Sequence, residues 1–289
     1  MRKTSALKNI LQKKELSFLM EAHNAMSAKI AEESGFEALW ASGLSISASM
    51  GLSDRNEASW TQVMDVVDFM VDNTAIPILL DGDTGFGNFN NVRRLVKKLS
   101  QRGVAGVCLE DKLFPKINSF IGAGQDLASI SEFCGKIQAA KDSQLDSDFC
   151  VVARVEALIS GCPMEEALKR ADAYASAGAD AVLIHSKQSD GAEIMDFCRQ
   201  WQNDCPIVIV PTKYYNTATD AFREVGVSTV IWANHSLRAS IAAMRAITRN
   251  IRQHNSVAQI EREIASLDDV FKLTNEYEVQ LAEQKYLTL

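Results

Sequence analysis

The sequence is short of several things. It has no apolar run approaching the ~20 residues of a membrane span, no cysteines spaced as CxxC, and no surplus of positive charge. The 289 residues carry a formal net charge of −7. A general nucleic-acid binder would want a basic face, so that class is disfavoured. A small anionic substrate is still compatible, because a site can be locally positive. The six cysteines, with Cys108 and Cys150 inside apolar runs, read as buried thiols in a reducing compartment. The N-terminus, MRKTSALKNILQKKE, lacks the apolar core and small-residue cleavage site of a signal peptide, and is expected to be a surface helix. The cytoplasm is the expected location, with no membrane partner. There is no internal repeat and no low-complexity tract.

Short apolar runs alternate with helical patterns instead. Eight runs read as strands: 18–22, 38–42, 76–81, 104–110, 149–155, 180–185, 207–212 and 229–234. Between them lie amphipathic segments. In NNVRRLVKKLSQRG, Val92, Leu95, Val96 and Leu99 fall at helical spacing, and Gly103 can end the helix. In PMEEALKRADAYASAG, Pro163 suits the first turn, two glutamates follow it and Gly178 closes. SLRASIAAMRAITRNIRQ repeats the pattern with Leu237, Ile241, Met244, Ile247 and Ile251. Eight such units predict an α/β fold, a (β/α)8 TIM barrel over about 16–253, with a doubly wound open sheet as the alternative. Residues 254–289 read as a helical extension of the same single domain.

In such a barrel, chemistry gathers where the strands end. Those ends carry Glu21 and His23; Trp40, Ser42 and Gly43; Asp81 and Asp83; Glu110, Asp111 and Lys112; Arg154 and Glu156; His185 and Ser186; Thr212 and Lys213; Asn234 and His235. Asp81 and Asp83 stand two apart and face one side; Glu110 arrives from the neighbouring strand. A hard divalent cation would resolve their repulsion, and Mg²⁺ with retained waters fits best. Helix capping is the alternative role for the aspartates. An EF-hand loop would need a carboxylate where Val92 stands, and a dinucleotide fingerprint a glycine where Asn90 stands. Arg154 offers a fork for a carboxylate or phosphoryl group, or a structural ion pair with Glu156 or Glu110. His185 is a further candidate for substrate contact. SGLSIS (42–47) offers backbone N–H groups to an anion. The sum is a site for a small, doubly anionic molecule.

EDKLFPKINS (110–119) resembles the EDKxFPKxNS signature of the phosphoenolpyruvate mutase family, within the phosphoenolpyruvate mutase/isocitrate lyase superfamily. The segments LLDGDTGFGN, DRNEASW, VVARVEA, HSK, VPTKYY and WANHSLRAS are also similar to mutase segments, in mutase order and over essentially the whole chain. The resemblance implies a barrel whose eighth helix is swapped between subunits, in a homo-oligomer, dimer or tetramer. It implies Mg²⁺-dependent interconversion of phosphoenolpyruvate and phosphonopyruvate, the C–P bond-forming step of phosphonate biosynthesis. Carried over residue by residue, Asp81 is the principal metal ligand, and Asp83 and Glu110 help hold the ion. Trp40, Ser42, Gly43 and Leu44 cradle the substrate. Arg154 and His185 contact its anionic groups, and Asp54 lies near the phosphoryl group. Lys116, Asn118 and Ser119 belong to a mobile gating loop.

The rival readings are phosphonopyruvate hydrolase, whose relatives carry threonine where Asn118 stands, and a non-catalytic ligand binder. The lyases of the superfamily carry a KKCGH-type motif that PKINSF lacks. Two departures are visible. The stretch FIGAGQDL (120–127) replaces a usual arginine-containing segment, and Gly82 stands where alanine is common, a change expected to matter little.

Overall fold

Each of the eight apolar runs forms a strand. The computed structural model describes residues 1–121 and 126–287. Residues 122–125 of the altered stretch 120–127 therefore lie outside the described residues. The strands are β1 (Ser17–Ala22), β2 (Ala38–Ala41), β3 (Ile78–Asp81), β4 (Gly106–Glu110), β5 (Cys150–Val155), β6 (Ala181–Ile184), β7 (Ile207–Ile209) and β8 (Thr229–Trp232). They are parallel and close in chain order, β8 returning to pair with β1. Helices covering the outside bury the second strand face, which is why the strand sequences are nearly continuous apolar runs and do not alternate. All five residues of β4 are buried.

The helices are α1 (Lys3–Gln12), α2 (Ala25–Glu33), α3 (Gly43–Ser49), α4 (Trp60–Asn73), α5 (Phe89–Gln101), α6 (Ile130–Ser143), α7 (Met164–Ser176), α8 (Ala192–Gln200), α9 (Thr219–Glu224), α10 (His235–His254), α11 (Leu267–Leu273) and α12 (Glu276–Tyr286). In α5 the predicted stripe Val92, Leu95, Val96 and Leu99 is buried. Gly103 beyond it takes φ +77°, a conformation glycine adopts without strain. Pro163 is the N-cap of α7, with Glu165 and Glu166 in its first turn, where acidic side chains complement the helix dipole.

The N-terminal helix does more than sit on the surface. Leu7, Ile10 and Leu11 of α1 are buried in one apolar cluster with inward residues of the strands, among them Leu19, Leu79, Val152 and Leu183. Lys3 donates to the carbonyls of Val71 and Thr74 just before β3. The helix thus stops the N-terminal mouth of the barrel.

The chain divides into two compact units, Met1–His235 and Ser236–Leu289. The first is the barrel. The second holds nearly all of α10, with α11 and α12, so the division falls earlier than the expected boundary near 254. No residue of α10, α11 or α12 is buried.

Candidate active site

The C-terminal mouth collects carboxylates on one side and cations on the other. Asp81 ends β3, and the turn after it is tied to β4: Gly82 N–H donates to Cys108 O and Glu110 N–H to Asp83 O, both at 2.8 Å. Asp83 takes φ +49°. Across the mouth, Gly43 at the start of α3 approaches the same pair. A Cβ there would lie 3.1 Å from Asp83 Oδ1 and 3.2 Å from Asp81 Oδ2, so any larger residue would press on both carboxylates. The N–H of Gly43 donates to Asp81 Oδ2 at 3.3 Å, and Ser42 Oγ accepts from Ser45 N–H. The SGLSIS amides expected to cradle an anion are thus turned partly to the protein's own carboxylate and to capping.

Lys116 balances part of the acidic wall. Its ammonium lies 2.5 Å from Asp83 Oδ1 and 2.7 Å from Asp54 Oδ1. Asn118 donates to Asp54 Oδ2 at 2.6 Å. Asn56 joins the two segments, donating to Asp83 Oδ2 and accepting from Lys116 N–H, both at 2.8 Å. Burial works against ionised Asp54, but Lys116 and the hydrogen bonds from Lys116 and Asn118 outweigh it and hold the carboxyl below its usual value. Asp83 shows the opposite balance: burial, against Lys116 but with Asp81, Asp54 and Glu110, pushes it up to about 7.

Strand register sets the other wall. Glu110 of β4 pairs with Arg154 of β5. Arg154 Nε lies 3.5 Å from Glu110 Oε2 and 2.5 Å from Glu156 Oε1. Its Nη2 reaches Ser119 Oγ at 3.0 Å and His185 Nδ1 at 2.9 Å. Both readings of Arg154 therefore hold together: it is ion-paired with both glutamates and it lines the site. Glu156, fully buried, is the hub. It accepts from Arg154, Ser119 (2.7 Å), Lys112 (3.0 Å) and His185 (2.7 Å). Burial opposes its charge, yet Arg154, His185 and Lys112 hold its carboxyl well below the normal range. Burial likewise keeps His185 below its ordinary value, Glu156 offsetting this only in part.

The three successive charges of EDK go to three different tasks. Glu110 faces Arg154. Asp111 turns outward, accepting from Glu156 N–H, from Arg170 Nη1 and from Tyr174 Oη. Lys112 turns back to Glu156 and to the loop that follows.

That loop closes the mouth. Leu113 N–H donates to Asp126 O, and Ala128 N–H to Asp111 O, which draws its two ends together. Near its tip, Phe120 stands edge-on to the His185 ring at 5.4 Å, with the Lys213 ammonium 5.1 Å from its centroid. Beneath lies a cavity of about 50 Å³. Trp40, Ser42 and Leu44 line it from β2 and α3, and Asp54 and Asp81 from the acidic side. Lys116, Asn118 and Ser119 of the loop, Arg154 and His185 opposite, and Thr212 and Asn234 beyond β7 and β8 also line it. Gly43, Asp83 and Glu110 stand behind this lining. Glu21 and His23 pair with each other at 2.6 Å, outside the lining.

Among the buried side-chain atoms of the described residues that lack a hydrogen-bond partner, Glu110 Oε1 and His185 Nε2 belong to these two walls. Among the described residues, no group of three or more His, Cys, Asp or Glu side chains forms a metal cage on its own. A small hard cation does not need one, taking one or two carboxylates and keeping its waters. The oxygen donors, with an orphaned carboxylate oxygen beside Asp81 and Asp83, fit such an ion.

Sequence reasoning missed Asn56 and the loop-facing role of Lys112, and saw Glu156 only as a partner for Arg154. Each acts by what it touches far along the chain, and no local spacing signals that.

A family model described as Phosphoenolpyruvate phosphomutase matches residues 7–252. A phosphoenolpyruvate phosphomutase of Tetrahymena pyriformis is 58% identical, covering 99% of this chain and 96% of its own length. The crystal structure of a phosphoenolpyruvate phosphomutase from Streptomyces platensis subsp. rosaceus superposes with a TM-score of 0.97 at 42% identity, over 99% of both chains. A phosphonopyruvate hydrolase solved with oxalate and Mg²⁺ superposes at 0.94 and 37%, over 100% of both. The chain belongs to the phosphoenolpyruvate phosphomutase family.

Proposed function

We propose that the protein interconverts phosphoenolpyruvate and phosphonopyruvate as a phosphoenolpyruvate mutase, an isomerase. The observation that carries this reading is a cavity lined by acidic groups on one side and by Arg154 and His185 on the other, with Lys116, Asn118 and Ser119 of a loop over it. A three-carbon molecule with a carboxylate and a phosphoryl group would meet Arg154 and His185 directly and the acidic side through Mg²⁺. The 58% identity to a phosphomutase, against 39% to a phosphonopyruvate hydrolase of Variovorax sp., favours transfer over hydrolysis.

Asp81, with Asp83 and Glu110 behind it, would hold Mg²⁺. The ion supplies Lewis-acid stabilisation of enolate and phosphoryl charge. Trp40, Ser42, Gly43 and Leu44 form the floor for the pyruvate skeleton. Arg154, aligned by Glu156, and His185 meet the anionic groups. Asp54, kept ionised by Lys116 and Asn118, orients the phosphoryl group.

In the forward direction the P–O bond breaks and its electron pair stays on the enolate oxygen. C3 of the same enolate then bonds to phosphorus, and the ketone re-forms. No proton is exchanged overall. A metaphosphate-like group would be captured by any nearby water. The loop carrying Lys116, Asn118 and Ser119 keeps water out, and the C3 route then competes. On this reading the protein forms the C–P bond of phosphonate biosynthesis.

The test is ³¹P NMR of phosphonopyruvate with purified protein and Mg²⁺. A growing phosphoenolpyruvate signal without inorganic phosphate supports the mutase. Phosphate with pyruvate would make it a hydrolase, and an unchanged spectrum would leave a binding role.

The same reading includes a homo-oligomer, dimer or tetramer. Ile241, Met244, Ile247 and Ile251 line one side of α10, none of them buried. On the barrel, Phe18 stacks on Trp232 at 6.0 Å beside an open groove between β8 and β1. A second copy's helix would cover such a groove, and sedimentation at micromolar concentration tests it. The six free cysteines fit a cytoplasmic setting.

A further inference from the structure

Lys112 has no part in the chemistry proposed above, yet it is 2% exposed and fully engaged. Its ammonium contacts Ser119 Oγ at 2.5 Å, Ile117 O at 3.0 Å and Glu156 Oε2 at 3.0 Å. Its backbone sits at the neck of the loop, in an antiparallel bridge with Leu127 on the returning strand. Lys112 is thus rooted on the rigid scaffold, at the end of β4, while its side chain reaches back to the loop tip.

Ser119 is the junction. A hydroxyl has one donor and two acceptor sites. Here the O–H donates to Glu156, and the oxygen accepts from Lys112 and from Arg154. All three sites are used, and only this loop position uses them. When the loop lifts, Lys112 loses Ile117 and Ser119, Arg154 loses one acceptor, and Glu156 loses one donor. The groups that feel loop position are therefore the groups that aim Arg154 and His185.

We infer that Lys112 is a positioning residue, a latch that couples loop closure to the alignment of Arg154 and His185 through Ser119 and Glu156. The inference rests on the mutase reading for its chemical consequence alone. The latch itself is a statement about the loop. Lys112 does not touch substrate. It acts by holding Ser119 against Arg154, so that the pair is aligned only while water is excluded.

The test uses the full chain with Lys112→Met, Ser119→Ala and the double variant. The first readout is the rate of chymotryptic cleavage after Phe120, mapped by mass spectrometry without substrate. Losing a buried charge-assisted contact predicts cleavage faster by about tenfold in Lys112→Met. Ser119→Ala is cleaved faster too, and the double variant faster by less than the product of the two single effects, because both variants remove the shared Lys112–Ser119 contact. Wild-type cleavage in Lys112→Met, or multiplying effects in the double variant, overturns the latch. If Lys112→Met shows no cooperative melt, Ser119→Ala decides alone, and wild-type cleavage there overturns it.

The second readout is the product ratio from phosphonopyruvate. In the leak, water oxygen bonds to phosphorus as the C3–P bond breaks. The electron pair passes into the enolate, which takes a proton at C3, giving phosphate and pyruvate. A latch variant raises the phosphate share, whereas a loss of stability alone lowers the total rate and leaves the ratio. An unchanged ratio beside faster cleavage overturns the coupling. Wild-type protein that makes no phosphoenolpyruvate overturns the mutase reading and leaves the cleavage result standing.

Discussion

At the N-terminal mouth of the barrel, α1 lays Leu7, Ile10 and Leu11 into an apolar cluster with strand residues. At the C-terminal mouth, the loop lays Lys116, Asn118 and Ser119 onto Asp54, Asp83, Arg154 and Glu156. Both closures bury their groups, but by opposite chemistry. Burying a leucine stabilises by roughly 1.5–3 kcal/mol, with no alternative partner in water. Buried ion pairs return little net energy, because water would solvate the same charges. The apolar plug is therefore a permanent closure. The ionic one can open and re-form, as a mouth that must admit substrate requires.

The largest effect is expected from the ionic end. Asp81→Ala should reduce Mg²⁺-dependent turnover by about a thousandfold or more, while the melting temperature stays near that of the wild type. Undiminished turnover in a metal-buffered assay would remove the acidic wall from the reaction. Leu11→Ala at the apolar end should do the reverse. It should cost about 2–5 kcal/mol in urea unfolding through cavity formation, with turnover of the folded protein nearly unchanged. A large loss of turnover there would mean that the two ends are coupled.

Gly82→Ala sharpens the comparison at closer range. A Cβ at Gly82 would lie 2.5 Å from Val107 Cγ2 and 3.1 Å from Cys108 O. The packing of β4 beneath the turn therefore leaves little room here for the alanine that is common at this position. Overpacking predicts a loss of about 1–3 kcal/mol, relieved in the Gly82→Ala/Val107→Ala pair. Equal stability of wild type and Gly82→Ala would show that Val107 moves freely.

The smallest effect concerns pH. Burial holds the His185 imidazole below the ordinary histidine value of about 6.5. On acidification the unfolded chain binds that proton first. The contribution of neutral His185 is thus fully present above pH 6.5 and is lost as pH falls toward the depressed folded value. Urea midpoints at pH 7.5 and 5.5 should converge more for His185→Gln than for wild type. An identical pH dependence would show that the imidazole titrates alike in both states.

Much of this molecule is legible locally. The eight strands could be read because burial on both faces demands unbroken apolar runs. Asp81 and Asp83 could be read as a pair because they stand two apart at one strand end. α5 could be read from its stripe and the glycine beyond it. Arg154 and His185 were legible as polar residues ending apolar runs.

What the sequence by itself determined is therefore the order of the elements, the α/β architecture they imply, and which strand ends carry charge. The tertiary structure alone decided which of those charges meet. Asn56 and Lys116 are 60 residues apart, and Lys116 N–H finds Asn56 only after the barrel closes. Glu156 gathers partners from β4, the loop, β5 and the end of β6, and nothing in VVARVEA marks it as a hub. Periodicity records what a side chain needs from its own element. A buried charge is specified by neighbours from elsewhere in the chain, and only the closed barrel supplies them.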